Sequence, residues 1–203
     1  MPNRAQLDAH EGDLGHGCWA RFVPGFVREH DSVMQTLLGT LPLRQEPITM
    51  FGKTHLTPRL TSWHGDPECG YRYSGRGFEP SPWVPVLAEI RDRLCESTGY
   101  AFNSVLANFY RDGADSMGAH ADDERELGPT RDDIGIASVS LGARRRFLLR
   151  RKVGGATTEY ALGAGDLLVM GGRTQSEFKH WVPRTKKPVG PRMNLTYRVI
   201  LPR

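Results

Sequence analysis

Cysteine is scarce in this chain of 203 residues, and the three present, Cys18, Cys69 and Cys95, lie far apart. Their number is odd and no pair has the Cys-x-x-Cys spacing, which excludes a disulfide framework and a cysteine-based zinc site and fits a reducing compartment. Long apolar runs are also missing. No stretch approaches the roughly 20 apolar residues that a spanning helix needs, so no membrane partner is expected. The opening "MPNRAQLDAHEGDLGHG" has none of the apolar core of a secretion signal. Internal repeats and low-complexity tracts are absent. Lysine is the last scarcity, with 5 Lys against 22 Arg. Arginine suits planar recognition of carboxylate and phosphate better than lysine does. A net charge of +4 and a pI near 9.1 are compatible with a nucleic-acid partner without requiring one.

What remains is the composition of an ordinary globule, 38% hydrophobic and 25% charged. A chain of this length can bury a substantial core, and one compact domain is expected. Within it, residues 1–17 read as a flexible N-terminal segment, 18–99 as an N-terminal extension with helices, and 100–203 as the core. A short helix is expected over "DSVMQTLLG", with Asp31 as cap, Val33, Met34, Leu37 and Leu38 as apolar stripe and Gly39 as terminator. A second is expected over "SPWVPVLAEIRDRLCESTG", capped by Ser81, with Pro82 at its first position and Gly99 past its end.

After residue 100 the hydrophobic period changes to two. "SVLANFY", "GIASVSLG", "RFLLRR", "TTEYAL", "DLLVMGG", "EFKHWVP" and "RMNLTYRVIL" are short β-rich runs separated by turn residues. They predict an antiparallel sandwich or barrel such as a jelly roll, with the helices packed on one sheet: an α+β chain, mainly β.

Three groups of residues can carry chemistry. In "MGAHADDERE", His120 and Asp122 are two apart and can face one side of a strand. A surface histidine beside a capping aspartate explains the pair as well, and a metal would need a third ligand. Only His180 follows them among the histidines. Were the three to converge, two imidazoles and one carboxylate would leave the open positions typical of non-haem Fe(II) oxygenases. In "RMNLTYR", Arg192, Asn194, Thr196 and Arg198 share one strand face, which fits either a solvent-exposed edge or a barrel interior that grips a dicarboxylate. Asn108 and Tyr110 are likewise in phase; each fits an acid-binding role or a satisfied polar core group.

The segments "NFYRDGADSMGAHADDE", "IASVSLGARRRFLLR", "HWVP" and "PRMNLTYRVIL" together resemble the AlkB family of Fe(II)/2-oxoglutarate dioxygenases over roughly residues 42–203, most closely its members active on double-stranded DNA. The resemblance implies a double-stranded β-helix, the jelly-roll form, with Fe(II), 2-oxoglutarate and O2 as cofactor and cosubstrates. By position, His120, Asp122 and His180 would be the catalytic metal ligands. Arg192, assisted by Tyr110, would hold the far carboxylate of 2-oxoglutarate. Arg198 and Asn108 would hold its chelating end, and Asn194 and Thr196 would line the pocket. The implied activity is DNA repair: oxidative demethylation of bases such as 1-methyladenine and 3-methylcytosine, with release of formaldehyde.

A stacked base cannot reach an iron inside a protein, so the resemblance also implies base flipping. Residues 18–99 then contain a nucleotide-recognition region, where Tyr71 and Tyr73 would wall the flipped base. Glu124 would accept from its exocyclic amine. "TMFGK" resembles a hydrophobic finger in which Met50, Phe51 and Gly52 would wedge into the base stack. In "ARRRFLLRRK", Arg144, Arg145 and Arg146 begin a basic stripe suited to phosphates. The chain departs from its relatives in the number of arginines at 144–146 and in Ala121. The expectation is a monomer acting on duplex DNA, in the cytoplasm and nucleoid-associated if bacterial. A related oxygenase for RNA, protein or a small molecule, and a non-catalytic jelly-roll binder, are the competing readings.

Overall fold

The structure, a computed structural model, describes residues 10–50, 53–73, 76–123 and 133–201. The chain opens with β1 (His10–Gly15), β2 (Cys18–Val23) and α1 (His30–Thr40). Five short strands follow: β3 (Pro47–Met50), β4 (Lys53–Leu56), β5 (Leu60–Gly65), β6 (Tyr71–Tyr73) and β7 (Arg76–Phe78). After α2 (Pro85–Thr98) come β8 (Ser104–Tyr110), β9 (Met117–His120), β10 (Ile136–Gly142), β11 (Arg145–Arg151) and β12 (Thr157–Leu162). The chain ends with β13 (Asp166–Gly172), a single turn α3 (Thr174–Glu177), β14 (Phe178–Val182) and β15 (Arg192–Arg198).

Two sheets face each other. The major sheet has seven strands in the order β1-β2-β13-β10-β15-β8-β5, and the minor sheet four in the order β12-β11-β14-β9. Two hairpins, β3-β4 and β6-β7, stand apart. Among the described residues every pairing between these strands is antiparallel, as the jelly-roll reading requires.

The period of two decides what each face buries. Ala137, Val139 and Leu141 on β10, with Met193, Leu195 and Tyr197 on β15, pack with Met34 and Leu37 of α1 and Leu87, Ile90 and Leu94 of α2. Each of the Val, Leu, Ile and Met side chains, fully removed from water, contributes about 1.5–3 kcal/mol. The alternate residues form a second cluster between the sheets, where Ile136, Leu168 and Met170 meet Phe147, Leu149, Phe178 and Val182. The major sheet is therefore covered on both faces. The polar face of β15 points into the sandwich rather than to solvent: Arg192, Asn194 and Thr196 are all buried.

Three expectations need correction. Residues 1–17 are not all loose: β1 pairs with β2 through a turn in which Gly15, His16 and Gly17 all have positive φ. Second, β2 and β5 join the major sheet beside β13 and β8, so the stretch before residue 100 is structurally part of the sandwich. Third, the helix starts differ. Glu29 rather than Asp31 precedes α1, and Gly39 lies inside it. In α2 the proline at the start is Pro85, not Pro82. Ser81 cannot cap this helix because β5 holds it extended: its N–H donates to Trp63 O and its carbonyl accepts from Gly65 N. Gly99 does end α2, in the left-handed conformation at φ 83°.

Candidate active site

His120 and His180 stand opposite each other on β9 and β14, so the strand pairing itself brings the two imidazoles together. Their ring centroids are 4.3 Å apart. Asp122 lies two residues past the end of β9, and its Oδ2 is 3.6 Å from His180 Nε2. One ligating atom from each of His120, Asp122 and His180 lies within 4.8 Å of the others. The sequence separation of 60 residues between the histidines is thus closed by a single antiparallel pairing.

The protonation states suit a cation. His120 Nδ1 is 2.9 Å from Gly118 O. A carbonyl only accepts, so Nδ1 carries a proton and Nε2 is the nitrogen left to ligate. Burial pushes the His180 imidazole down to about 4, an effect that Asp122 only partly offsets, so this ring is neutral at pH 7. Burial would raise the Asp122 carboxyl, but positive charge around it, that of Arg198 foremost, outweighs burial and holds it below the ordinary carboxylate value. Arg198 Nη2 donates to Asp122 Oδ1 at 2.6 Å, and the Asp122 backbone N–H donates to Gln175 Oε1 at 3.0 Å. Phe147 stacks on the His180 ring at 5.3 Å.

Deeper in the sandwich lies Arg192, with no exposed surface. Its Nη2 donates to Ser140 Oγ at 2.7 Å and to Asn194 Oδ1 at 2.8 Å. Burial draws its pKa down to about 10, against the steadying effect of Tyr110, so it remains a cation. Asn194 Nδ2 donates to Thr196 Oγ1 at 2.8 Å, and Ser138 Oγ donates to Asn194 Oδ1 at 2.9 Å. Asn108, Tyr110, Asn194, Thr196 and Arg198 all border the cavity that the two histidines and Asp122 line.

The site has unmet bonding capacity. Among the described residues, Asp122 Oδ2, Arg192 Nε, Arg192 Nη1 and Arg198 Nε are buried without a hydrogen-bond partner. Each unsatisfied buried polar group costs about 1–3 kcal/mol, more when charged. A leftover carboxylate oxygen beside two imidazoles fits a divalent cation. Arg198 borders that cavity, and Arg192 is bonded to Asn194, which borders it too; unpartnered guanidinium N–H groups at such places fit an organic anion. The residues present therefore suit a metal with a dicarboxylate at its side.

Two contributors escaped the sequence reading. Arg59, the residue before β5, donates from Nε to Asn108 Oδ1 at 2.7 Å; with 22 arginines in the chain nothing marked it out. Gln175 is buried on a turn that precedes a strand, a position without a sequence signature.

The arginine stripe does not hold together. Arg145 is buried and points inward, donating to the carbonyls of Asp112, Asp115 and Pro183. It cannot reach a phosphate, because strand alternation places it with Phe147 and Leu149 on the inner face. Arg144 and Arg146 are exposed, but Arg144 lies 3.4 Å from Asp166 and Arg146 pairs with Glu159. Met50 lies in β3, and Tyr71 and Tyr73 lie in β6, with side chains outside the description; Phe51, Gly52 and Glu124 lie outside the described residues. All three cysteines are free. Among the described residues no helix is long and apolar enough to cross a membrane.

With this geometry in place, the likenesses to known proteins fall into line. A model of the 2OG-Fe(II) oxygenase superfamily matches residues 19–198. The chain is 45% identical over 163 residues to the DNA oxidative demethylase ALKBH2 of Mus musculus, which covers 76% of this chain and 67% of that protein. It is 43% identical over 162 residues to the Homo sapiens protein of the same name, covering 76% and 61%. To the alpha-ketoglutarate-dependent dioxygenase alkB homolog 3 of Mus musculus it is 40% identical over 193 residues, covering 88% and 65%. The chain thus spans about two thirds of the length of these relatives. A solved structure described as that of OsALKBH1 matches with a TM-score of 0.64 over 93% of this chain and 99% of that one, at 18% identity. That likeness is one of fold.

Proposed function

The chain belongs to the AlkB family of the 2OG-Fe(II) oxygenase superfamily, and from that premise we propose that it is a DNA-repair dioxygenase that oxidatively demethylates N-alkylated bases. The lesions expected are 1-methyladenine and 3-methylcytosine. The family works with Fe(II), 2-oxoglutarate and O2, and the names of the most similar relatives, DNA oxidative demethylase among them, support the substrate class. The observation that carries the reading is the meeting of His120, Asp122 and His180 around one cavity, with Arg198 bound to Asp122.

When bound, Fe(II) and 2-oxoglutarate supply the activation of O2 that oxidises an N-methyl C–H bond, as the cosubstrate becomes succinate and CO2. The rest is work for this chain. His120 Nε2, His180 Nε2 and Asp122 Oδ2 would hold the metal. Arg198 fixes the other oxygen of Asp122 and removes the repulsion that a buried carboxylate would offer an incoming anion. Arg192, its guanidinium held by Ser140 and Asn194, would pair with the far carboxylate of 2-oxoglutarate. Asn108, Tyr110, Asn194 and Thr196 would shape the rest of its berth. Phe147 shields one face of His180 from water. The hydroxymethylated base then needs little help: its O–H proton leaves, the N–C bond breaks, and formaldehyde departs as the ring nitrogen regains its electron pair.

For the substrate, we assign Tyr71, Tyr73 and Glu124 to the flipped base, and Met50, Phe51 and Gly52 to the gap left in a duplex. Base stacking on an aromatic contributes about 1–3 kcal/mol, which offsets much of the unstacking. A monomer inside the cell, working on duplex DNA, completes the reading. The test is formaldehyde release from methylated single- and double-stranded oligonucleotides with Fe(II), 2-oxoglutarate and ascorbate. Activity abolished by His180→Ala, and lost on duplex but retained on single strands in Phe51→Ala, is the expected pattern. Release that survives His180→Ala refutes the metal site, and equal loss on both substrates refutes the finger.

A further inference from the structure

Asp122 occupies a place that no strand secures. The β9-β14 ladder has two register pairs, His180 with His120 and Val182 with Met117, and it ends at His120. Two residues later the Asp122 backbone is held by a side chain 53 residues away: its N–H donates to Gln175 Oε1 at 3.0 Å. Both residues are buried.

The amide of Gln175 has only one way to sit. An N–H can be met only by the oxygen, so the NH2 group points the other way, where Nε2 lies 3.7 Å from Met170 Sδ. The turn that carries Gln175 is itself pinned. Thr174 Oγ1 donates to Gly171 O at 2.6 Å and accepts from Trp19 N at 3.0 Å. At the other end of the turn, Lys152 N donates to Glu177 O at 2.7 Å. Three residues after Glu177, the last residue of that turn, β14 presents His180.

We propose that Gln175 is a positioning residue for the metal carboxylate. It ties Asp122 to the rigid turn that leads into the His180 strand, so that carboxylate and imidazole keep their spacing whether or not a metal is bound. This rests on the reading of His120, Asp122 and His180 as metal ligands. Arg198 steers the carboxylate head, and Gln175 fixes the backbone from which that head hangs. Loss of a group that orients a ligand typically weakens metal affinity 10–100-fold.

The test uses the full chain and Mn(II), which needs no O2 exclusion and whose free form is counted by its electron paramagnetic resonance signal. Gln175→Met keeps the bulk and removes the acceptor; it is expected to raise the Mn(II) dissociation constant about 10–100-fold. Gln175→Glu keeps an acceptor oxygen at the same reach, and any charge it carries favours a dication, so its affinity should stay within threefold of wild type or exceed it. Melting of the metal-free proteins reports packing separately. If Gln175→Met fails to fold, Gln175→Asn, one methylene too short, must show the loss instead. A folded Gln175→Met or Gln175→Asn that binds Mn(II) as wild type does overturns the proposal, as does a Gln175→Glu as weak as Gln175→Met. A wild-type chain that takes up no Mn(II), or takes it up equally after His180→Ala, overturns the metal reading beneath it.

Discussion

Arg198 holds Oδ1 of Asp122 at 2.6 Å and leaves Oδ2, buried and unpartnered, 3.6 Å from His180 Nε2. One oxygen of the carboxylate is thus spoken for by a fixed cation, and the other is kept for a mobile one.

Removing the fixed cation should expose this division. In Arg198→Met the buried Asp122 carboxylate loses its ion-pair partner in the metal-free protein. Breaking a buried pair costs about 3–5 kcal/mol; Arg198 retains some exposure, so the lower figure applies, or a melting temperature lower by roughly 6–12 °C for a domain of this size. Mn(II) should recover part of that loss, since a dication can replace the missing charge. Thermal melts with and without Mn(II) check it; an unchanged metal-free melting temperature contradicts the ion pair's role.

Arg192 makes the matching case for the cosubstrate. Its Nη2 is satisfied, while Nε and Nη1 lie buried without partners. A carboxylate that meets both would gain charge-assisted bonds of about 1.5–3 kcal/mol each. In the wild type, 2-oxoglutarate at a hundredfold excess over its dissociation constant should stabilise the Mn(II)-loaded protein by about 2.7 kcal/mol. In Arg192→Met that thermal shift should disappear at the same concentration while the Mn(II) shift persists. Loss of both shifts would mean that Arg192 serves the fold rather than the anion.

The contrast between these arginines and those of β11 marks how far the amino-acid order can be read. The polar face of β15 was legible because side chains two apart on a strand must point together; for His120 and Asp122 only the spacing was legible, since Asp122 lies past the end of β9. The pairing of His120 with His180 was legible only through the family, since strand order in a sandwich is set by long-range packing that leaves no local trace. Arg145 was misread because one charged residue on an inner face resembles its exposed neighbours until the three carbonyls it satisfies are seen. Gln175 and Arg59 stayed hidden for the same reason: their partners are 53 and 49 residues away.

The β11 arginines therefore part company in a measurable way. Arg145→Ala leaves three carbonyls without their donor inside the protein, and unfolding in urea should show a loss of about 3 kcal/mol or more. Arg146→Ala removes an exposed ion pair with Glu159 that solvent screens, and should unfold as wild type does. Comparable losses at both positions would place Arg145 at the surface and refute its inward orientation.

Phe147 links packing to pH. Its ring covers His180 at 5.3 Å, and burial is what holds that imidazole down at about 4, against an ordinary value of 6.5. A histidine ligates a metal only when neutral. In the wild type, protons do not compete for His180 until the pH nears 4, because the depressed folded-state value keeps the ring neutral across the range from 6.5 downward. Phe147→Ala lets water reach the ring, costs about 3–5 kcal/mol of stability, and should return the imidazole toward 6.5. At pH 8 the ring is neutral in both proteins, and their Mn(II) affinities should be similar. Between pH 7 and 5.5 the variant's His180 becomes a cation while that of the wild type does not, so the variant's affinity should fall more steeply than the wild type's. Mn(II) titrations at pH 8, 7, 6 and 5.5 on protein shown to be folded by its melting curve read the difference directly; parallel pH profiles would show that Phe147 packs against the ligand without tuning it.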